Sequence, residues 1–174
     1  MNVILYKSHL LGATMDLTQR RIYFWGGIFS QWARADFKIG DDTFNCAEQA
    51  MMAAKANLFG DDDAYGRIMA CKDPRDMKAI GRTIKNYDHG KWSAINLDVV
   101  TEINYKKFSH NPAWKELLIY TDGYELVEAS PYDKIWGVGL GEDDPNILDK
   151  SKWDGTNLLG KAIIAARDKI IDEL

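Results

Sequence analysis

Cysteine is scarce in this chain. Its two cysteines, Cys46 and Cys71, sit in segments that read as helical and share no paired spacing, which argues against a disulfide framework or a zinc site and fits a reducing compartment. Long apolar runs are also missing: no stretch reaches about eighteen residues, and no basic segment followed by an apolar core opens the chain. The expectation is a soluble cytoplasmic protein with no membrane contact. The three histidines, His9, His89 and His110, share no spacing with one another or with cysteine, so no metal triad is indicated. The glycines form neither a Walker loop nor a dinucleotide fingerprint. Positive charge is not in excess, with 22 Lys and Arg against 26 Asp and Glu and a net charge of -4. That balance argues against broad gripping of nucleic acid through phosphates, leaves room for a local basic mouth, and most simply means solubility. Repeats, low-complexity tracts and Pro/Ser-rich linkers are absent.

What is present suits one domain with a real core: 174 residues, 46% hydrophobic, 28% charged and 11% aromatic. Short β-like pieces run from Val3 to Tyr6, Arg21 to Trp25 and Ala35 to Ile39, with turns at Gly26-Gly27 and Gly40-Asp41-Asp42. Asn45 is placed to cap a helix from Cys46 to Phe59, closed by Gly60. Further helices are read from Asp61 to Ala70, from Asp73-Pro74 to Gly81-Arg82, over Trp92 to Phe108, and from Asn111-Pro112 through Tyr120. Tyr124 to Ala129 is a short β-like run, and an amphipathic helix fills Leu158 to Leu174. The class is α+β, a helix-rich single domain with a small β-sheet.

Between Leu126 and Gly160, acids, indoles and glycines crowd a turn-rich stretch that includes Glu128, Pro131, Asp133, Trp136, Gly137, Trp153 and Asn157. With few backbone hydrogen bonds of its own expected there, the stretch looks built around a ligand. Glu128 and Asp133 flank Pro131, and either carboxylate suits the oxocarbenium-like state of glycosidic cleavage. Asn157 has a rival role as a helix N-cap.

Glu48 and Lys55 are seven residues apart on one helix, so at about 100° per residue they share a face, about 10 Å apart along the axis. A solvated helix surface is the plain alternative. Met51, Met52 and the neighbouring alanines place both groups near the buried side, where desolvation disfavours charge and prepares them for acid-base or nucleophilic work. Lys78 and Arg82, four apart beside a helix end, suit phosphate oxygens, although plain surface solubility is the more ordinary reading of an isolated Lys/Arg pair. Trp92 follows a Gly90 turn and reads either as a stacking surface or as core.

The ordered set Phe29-Ser30, Trp32, Phe37, Phe44, Glu48, Lys55, Lys78, Gly81-Arg82, Trp92, Leu126-Val127-Glu128, Trp136-Gly137, Asn157 and Leu159-Gly160 resembles the NADAR, or YbiA-like, family. The resemblance runs from about Tyr23 to the C-terminus, with residues 1-20 as an N-terminal extension or first strand and 21-174 as the domain. It implies a compact α+β N-glycosidase that cuts between a phosphorylated or diphosphorylated ribose and a nitrogenous base, with no metal and no cofactor. It implies as substrates ribosylaminopyrimidine phosphates of riboflavin biosynthesis, or ADP-ribose on guanine in DNA, with local contact to modified DNA or RNA. Glu48 is carried over as acid/base and Lys55 as Schiff-base nucleophile, with Glu128 or Asp133 stabilising positive charge. Phe29, Ser30, Lys78, Arg82, Trp92, Trp136, Gly137 and Asn157 are carried over as substrate contacts. Two departures stand out: Ser30-Gln31 replaces Ser-Asn, and Glu48-Gln49 replaces Glu-His. The competing expectations are a non-catalytic ADP-ribose or nucleotide-binding module, and an interaction protein, which requires Glu48 and Lys55 to be exposed.

Overall fold

The structure, a computed structural model, describes residues 4–174. In chain order its strands are β1 (Leu5–Ser8), β2 (Ala13–Asp16), β3 (Arg21–Phe24), β4 (Phe37–Ile39), β5 (Asp42–Phe44) and β6 (Glu125–Glu128). Its helices are α1 (Ala47–Leu58), α2 (Asp62–Ala70), α3 (Pro74–Gly81), α4 (His89–Ser109), α5 (Pro112–Tyr120) and α6 (Leu158–Asp172), and short 3-10 turns cover Gly27–Phe29, Pro145–Leu148 and Lys150–Lys152. The helix-rich α+β class is the one expected. The described residues up to Ser30 form one compact unit with Ala113–Leu174, and Gln31–Pro112 forms another.

The first unit is organised by a four-stranded sheet in the order β1-β2-β3-β6. β1, β2 and β3 form an antiparallel meander, and β6 joins parallel to β3 with Ile22 opposite Leu126 and Tyr23 opposite Val127. Tyr23, Val127, Ala129, Val138 and Ile147 are buried together, with Leu140, Leu148 and Trp153 packed against them. Helix α6 buries Leu159, Ala162, Ile163, Ala166 and Ile170 and packs on β6. Its entry is fixed by Asn157, in the left-handed region at φ +53°. The Asn157 amide donates from Nδ2 to the Leu126 carbonyl at 2.9 Å and accepts the Glu128 N–H on Oδ1 at 3.0 Å. One side chain thus stands in for a neighbouring strand on the free edge of β6. Gly160 completes the junction, because a Cβ there would overlap the Leu126 carbonyl oxygen. The expected N-cap role of Asn157 is corrected: its side chain makes no capping bond to α6 and is spent on β6.

The second unit is built round α1, which packs against α2, α3 and α4. Asp61, Asp73 and Asp88 cap α2, α3 and α4, accepting from the N–H groups of Ala64, Arg75 and Lys91. Asn45 does not cap α1. Cys46 holds that position without a side-chain bond, and the first turn is served instead by the Gln31 carbonyl, which accepts the Glu48 N–H at 2.9 Å. β4 and β5 form a separate hairpin through Gly40, whose φ of +60° the tight turn requires.

Other boundaries differ in ways the chemistry explains. The strand read as Val3 to Tyr6 begins at a residue outside the described ones, and the strand found is Leu5–Ser8. β2 and β5 had no strand signal, since Ala13–Asp16 is buried on both faces and Asp42 and Thr43 are exposed, so neither alternates. Gly90 belongs to the first turn of α4 and is not in a turn before it. Both cysteines are free and bound helices, Cys46 at the start of α1 and Cys71 at the end of α2. Among the described residues, no helix is long and apolar enough to cross a membrane.

Two consequences are testable. Asn157→Ala orphans the Glu128 N–H and the Leu126 carbonyl, and at about 1–3 kcal/mol per unsatisfied buried group it lowers unfolding free energy by roughly 3 kcal/mol in urea titrations. Lys107 is fully buried in α4, and burial pushes its ammonium down to about 7. An unfolded lysine keeps its proton to about 10.4, so stability rises with pH between about 7 and 10 and this group adds no slope below that window. In Lys107→Met that part of the rise disappears, as urea unfolding across pH 6 to 10 reads directly.

Candidate active site

Helix α1 carries the titratable core of the second unit. At about 100° per residue, Glu48, Met52 and Lys55 share one face. Glu48 is only 2% exposed, and Lys55, in the last turn, is half-buried. The solvated-helix reading is overturned, and with it the requirement of an interaction protein that both groups be exposed.

The Lys55 ammonium has defined neighbours. Nζ donates to the Gly81 carbonyl at 2.9 Å and lies 4.3 Å from the centre of the Tyr87 ring. Gly81 ends α3, and a Cβ there would collide with Met52 Sδ, so glycine is what lets this helix end close on the Lys55 face of α1. Burial lowers the Lys55 pKa, the Glu48 carboxylate raises it, and the Arg82 guanidinium lowers it again. A lysine so placed is a neutral amine more often than a solvated one, which is the state a nucleophile needs. Lys78 is half-buried in α3 and Arg82, its C-cap, is exposed.

Gln31 and Tyr87 were missed as members of this neighbourhood. Gln31 is buried, its carbonyl takes the Glu48 N–H, and its Oε1 accepts from Asn104 at 3.2 Å. Its Nε2 is buried without a hydrogen-bond partner among the described residues, a donor that suits a ligand oxygen. The Ser30-Gln31 departure was the one signal pointing at it. Tyr87 gave none, because it lies far from Lys55 in sequence and in an otherwise polar turn. Gln49, in the position of the absent His, binds the Asn45 N–H and the carbonyls of Ile68, Met69 and Cys71. Its amide ties α1 to the end of α2. Trp92 is 7% exposed and belongs to the core of α4, so the exposed-indole reading is corrected.

The first unit holds the remaining residues. Phe29 is fully buried against Phe24, with ring centres 5.3 Å apart, and Ser30 is half-buried. Glu128 and Trp136 are half-buried, and Gly137 is buried. The expectation that the 126–160 stretch has few backbone hydrogen bonds is corrected. Val138 donates to Glu128, Asp154 to Val138, Asn157 to Gly137, Leu158 to Ile135 and Leu159 to Trp136. The glycines serve this mesh, since a Cβ on Gly155 would overlap the Gly137 carbonyl and one on Gly137 would sit 2.8 Å from the Asp133 carbonyl. Asp133 Oδ1 accepts from the N–H groups of Ile135 and Trp136, which holds the turn. Trp153 is structural: its indole donates to the Ile147 carbonyl at 2.8 Å, with Arg21 stacked on the ring. Among the described residues, no group of three or more His, Cys, Asp or Glu is placed to hold a metal ion.

The Lys55 environment generates a direct test. Reductively methylated protein followed by carbon NMR gives a Lys55 titration below the ordinary 10.5. Glu48→Gln lowers it further and Arg82→Met raises it, because the first removes a stabilising anion and the second a repelling cation.

Three relatives and one solved structure give this geometry its context. The chain is similar to the N-glycosidase R617 of Acanthamoeba polyphaga mimivirus, with 39% identity over 87% of this chain and 97% of that protein. It is 28% identical to the N-glycosidase Npun_R5314 of Nostoc punctiforme, over 83% of this chain and 85% of that one. It is also 28% identical to the chloroplastic riboflavin biosynthesis protein PYRR of Arabidopsis thaliana, over 64% of this chain but only 17% of that longer protein. The NMR structure of the E. coli protein YbiA shares the fold, with a TM-score of 0.74, 22% identity and coverage of 91% of this chain and 89% of that one. The NADAR domain model matches residues 23–171, and the chain belongs to the NADAR domain family.

Proposed function

We propose that this chain is an N-glycosidase that hydrolyses the bond between a phosphorylated or ADP-ribosylated ribose and a nitrogenous base. The observation that carries the reading is the half-buried Lys55 amine on the same helical face as the buried Glu48 carboxyl. A binding module does not require an amine whose charge is disfavoured by burial. An N-glycosidase that works through a covalent intermediate does.

In the proposed reaction Glu48 gives a proton to the departing base as the bond from the anomeric carbon to nitrogen breaks. The neutral Lys55 amine bonds to that carbon and gives a proton to the Glu48 carboxylate, and Glu48 passes it to the ring oxygen as the bond from the anomeric carbon to that oxygen breaks, which leaves an iminium on the opened ribose. Water adds to the iminium, the carbon–Nζ bond breaks, and the free sugar phosphate or ADP-ribose leaves with Lys55 restored. Lys78 and Arg82 are assigned to phosphate. Glu128 or Asp133 is assigned to positive charge at the anomeric carbon. Phe29, Ser30, Trp136 and Gly137 are assigned to the substrate's sugar and base. Asn157 is assigned indirectly, as the residue that fixes the edge carrying Glu128. The domain is taken as residues 21-174, with residues 1-20 as an N-terminal extension or first strand.

Two substrate types fit this chemistry, ribosylaminopyrimidine phosphates and ADP-ribosylguanine in DNA. The mimivirus and Nostoc names support the reaction class, and the plant riboflavin biosynthesis relative supports the first substrate. Mass spectrometry of products from both substrates separates them: ribose 5-phosphate marks the metabolite and ADP-ribose marks the nucleic acid. Glu48→Gln lowers kcat by about 10²–10⁴-fold, the span of general acid catalysis, while far-ultraviolet circular dichroism stays unchanged. Wild-type turnover in that variant contradicts the role of Glu48, and tight binding with no product from either substrate turns the reading to a nucleotide binder.

A further inference from the structure

The face of α1 opposite Glu48 is lined with small residues. Asn57 lies nine residues beyond Glu48, which at about 100° per residue places it about 180° round the helix. Ala50, Ala53 and Ala54 share that side with Asn57. Where larger side chains would fill the space between α1, the β4–β5 hairpin and α4, these alanines leave a cavity of about 270 Å³. Its apolar walls include Ile39, Phe44, Val99 and Ile103. The volume falls just short of the roughly 300 Å³ at which drug-sized sites begin, which suits a smaller ligand.

The charged groups at this cavity are of one sign. Asp42 and Glu102 line it together with Tyr65 and Asn57, and among the described residues no Lys, Arg or His does. The Tyr65 hydroxyl donates to Asp42 Oδ2 at 2.6 Å, which fixes that carboxylate beside the apolar walls. This bond and partial burial push the phenol up to about 12, so Tyr65 keeps its proton and adds no charge. Lys106 meets Glu102 at 3.6 Å from outside the cavity lining. Asp42 is therefore the principal charge facing a ligand. An apolar body fits the alanine floor, and a positive head fits Asp42 and the faces of Tyr65 and Phe44. An anion meets two carboxylates there and no cation.

We propose that this cavity is a second ligand site, separate from the Glu48–Lys55 face, which takes a small organic ammonium with a compact hydrocarbon body. The site does not depend on the N-glycosidase reading, since none of its lining residues is assigned to that reaction.

Amide NMR titrations with cyclohexylammonium, cyclohexanol and cyclohexanecarboxylate test it on the full chain. Cyclohexylammonium gives saturable shifts at Ala50, Ala53, Asn57 and Val99, and the alcohol binds at least about tenfold more weakly, the scale of one charge-assisted contact. Asp42→Asn weakens the ammonium about tenfold, and Ala53→Leu, which fills the floor, abolishes the shifts. Should Ala53→Leu fail to fold, Asp42→Asn decides, because the exposed Asp42 side chain is not part of the core. Equal binding of the alcohol or the carboxylate, an unchanged affinity in Asp42→Asn, shifts confined to the Glu48–Lys55 face, or no saturable shift overturns the proposal.

Discussion

The half-withdrawal of one ammonium group from water is the physical feature on which the proposed chemistry depends. Lys55 lies at the end of α1 with its charge shared between the Gly81 carbonyl and the Tyr87 ring. Both are weaker partners than a solvation shell, so burial disfavours the charged form. Much of the second unit serves that placement. Gly81 has no side chain to collide with Met52, which brings the end of α3 against α1. Asp61 caps α2 and also accepts the Lys85 N–H at 2.8 Å, which ties down the segment leading to Tyr87. Glu48 supplies the opposing charge on the same helix and offsets part of the shift that burial causes.

The first unit solves a different problem, that of a short strand with one bare edge. β6 is four residues long and pairs with β3 on one side only. Asn157 supplies the missing donor and acceptor on the other side, and Gly160 gives α6 the room to approach. The loop carrying Asp133, Trp136 and Gly137 is then bound to the segment before α6 by backbone hydrogen bonds. Glycine occurs where two backbones touch, so its density in this region reflects close packing first. A ligand is not needed to explain it.

The legibility of these features followed their physical range. Helices α1 to α6 could be read because apolar spacing and Pro74 and Pro112 at helix starts are local signals. The pairing of Glu48 with Lys55 was equally local, being two positions on one helix. β2 and β5 were not legible, since a strand buried on both faces and a mostly exposed hairpin strand both lack alternation. The partners of Lys55 were hidden for a related reason, because a carbonyl and a ring from distant segments carry no sequence pattern. Asn157 shows the same limit. As an asparagine before a helix it read as a cap, whereas its left-handed backbone turns the amide toward β6.

The proposed reaction depends on Lys55 as a nucleophile. The most direct measurement adds sodium borohydride during turnover of a ribosylaminopyrimidine phosphate or an ADP-ribosylguanine oligonucleotide, followed by peptide mass spectrometry. A reduced sugar adduct confined to Lys55, and absent from Lys55→Arg, is the expected result. Product formation at full rate in Lys55→Arg, with no adduct trapped in the wild type, would contradict it.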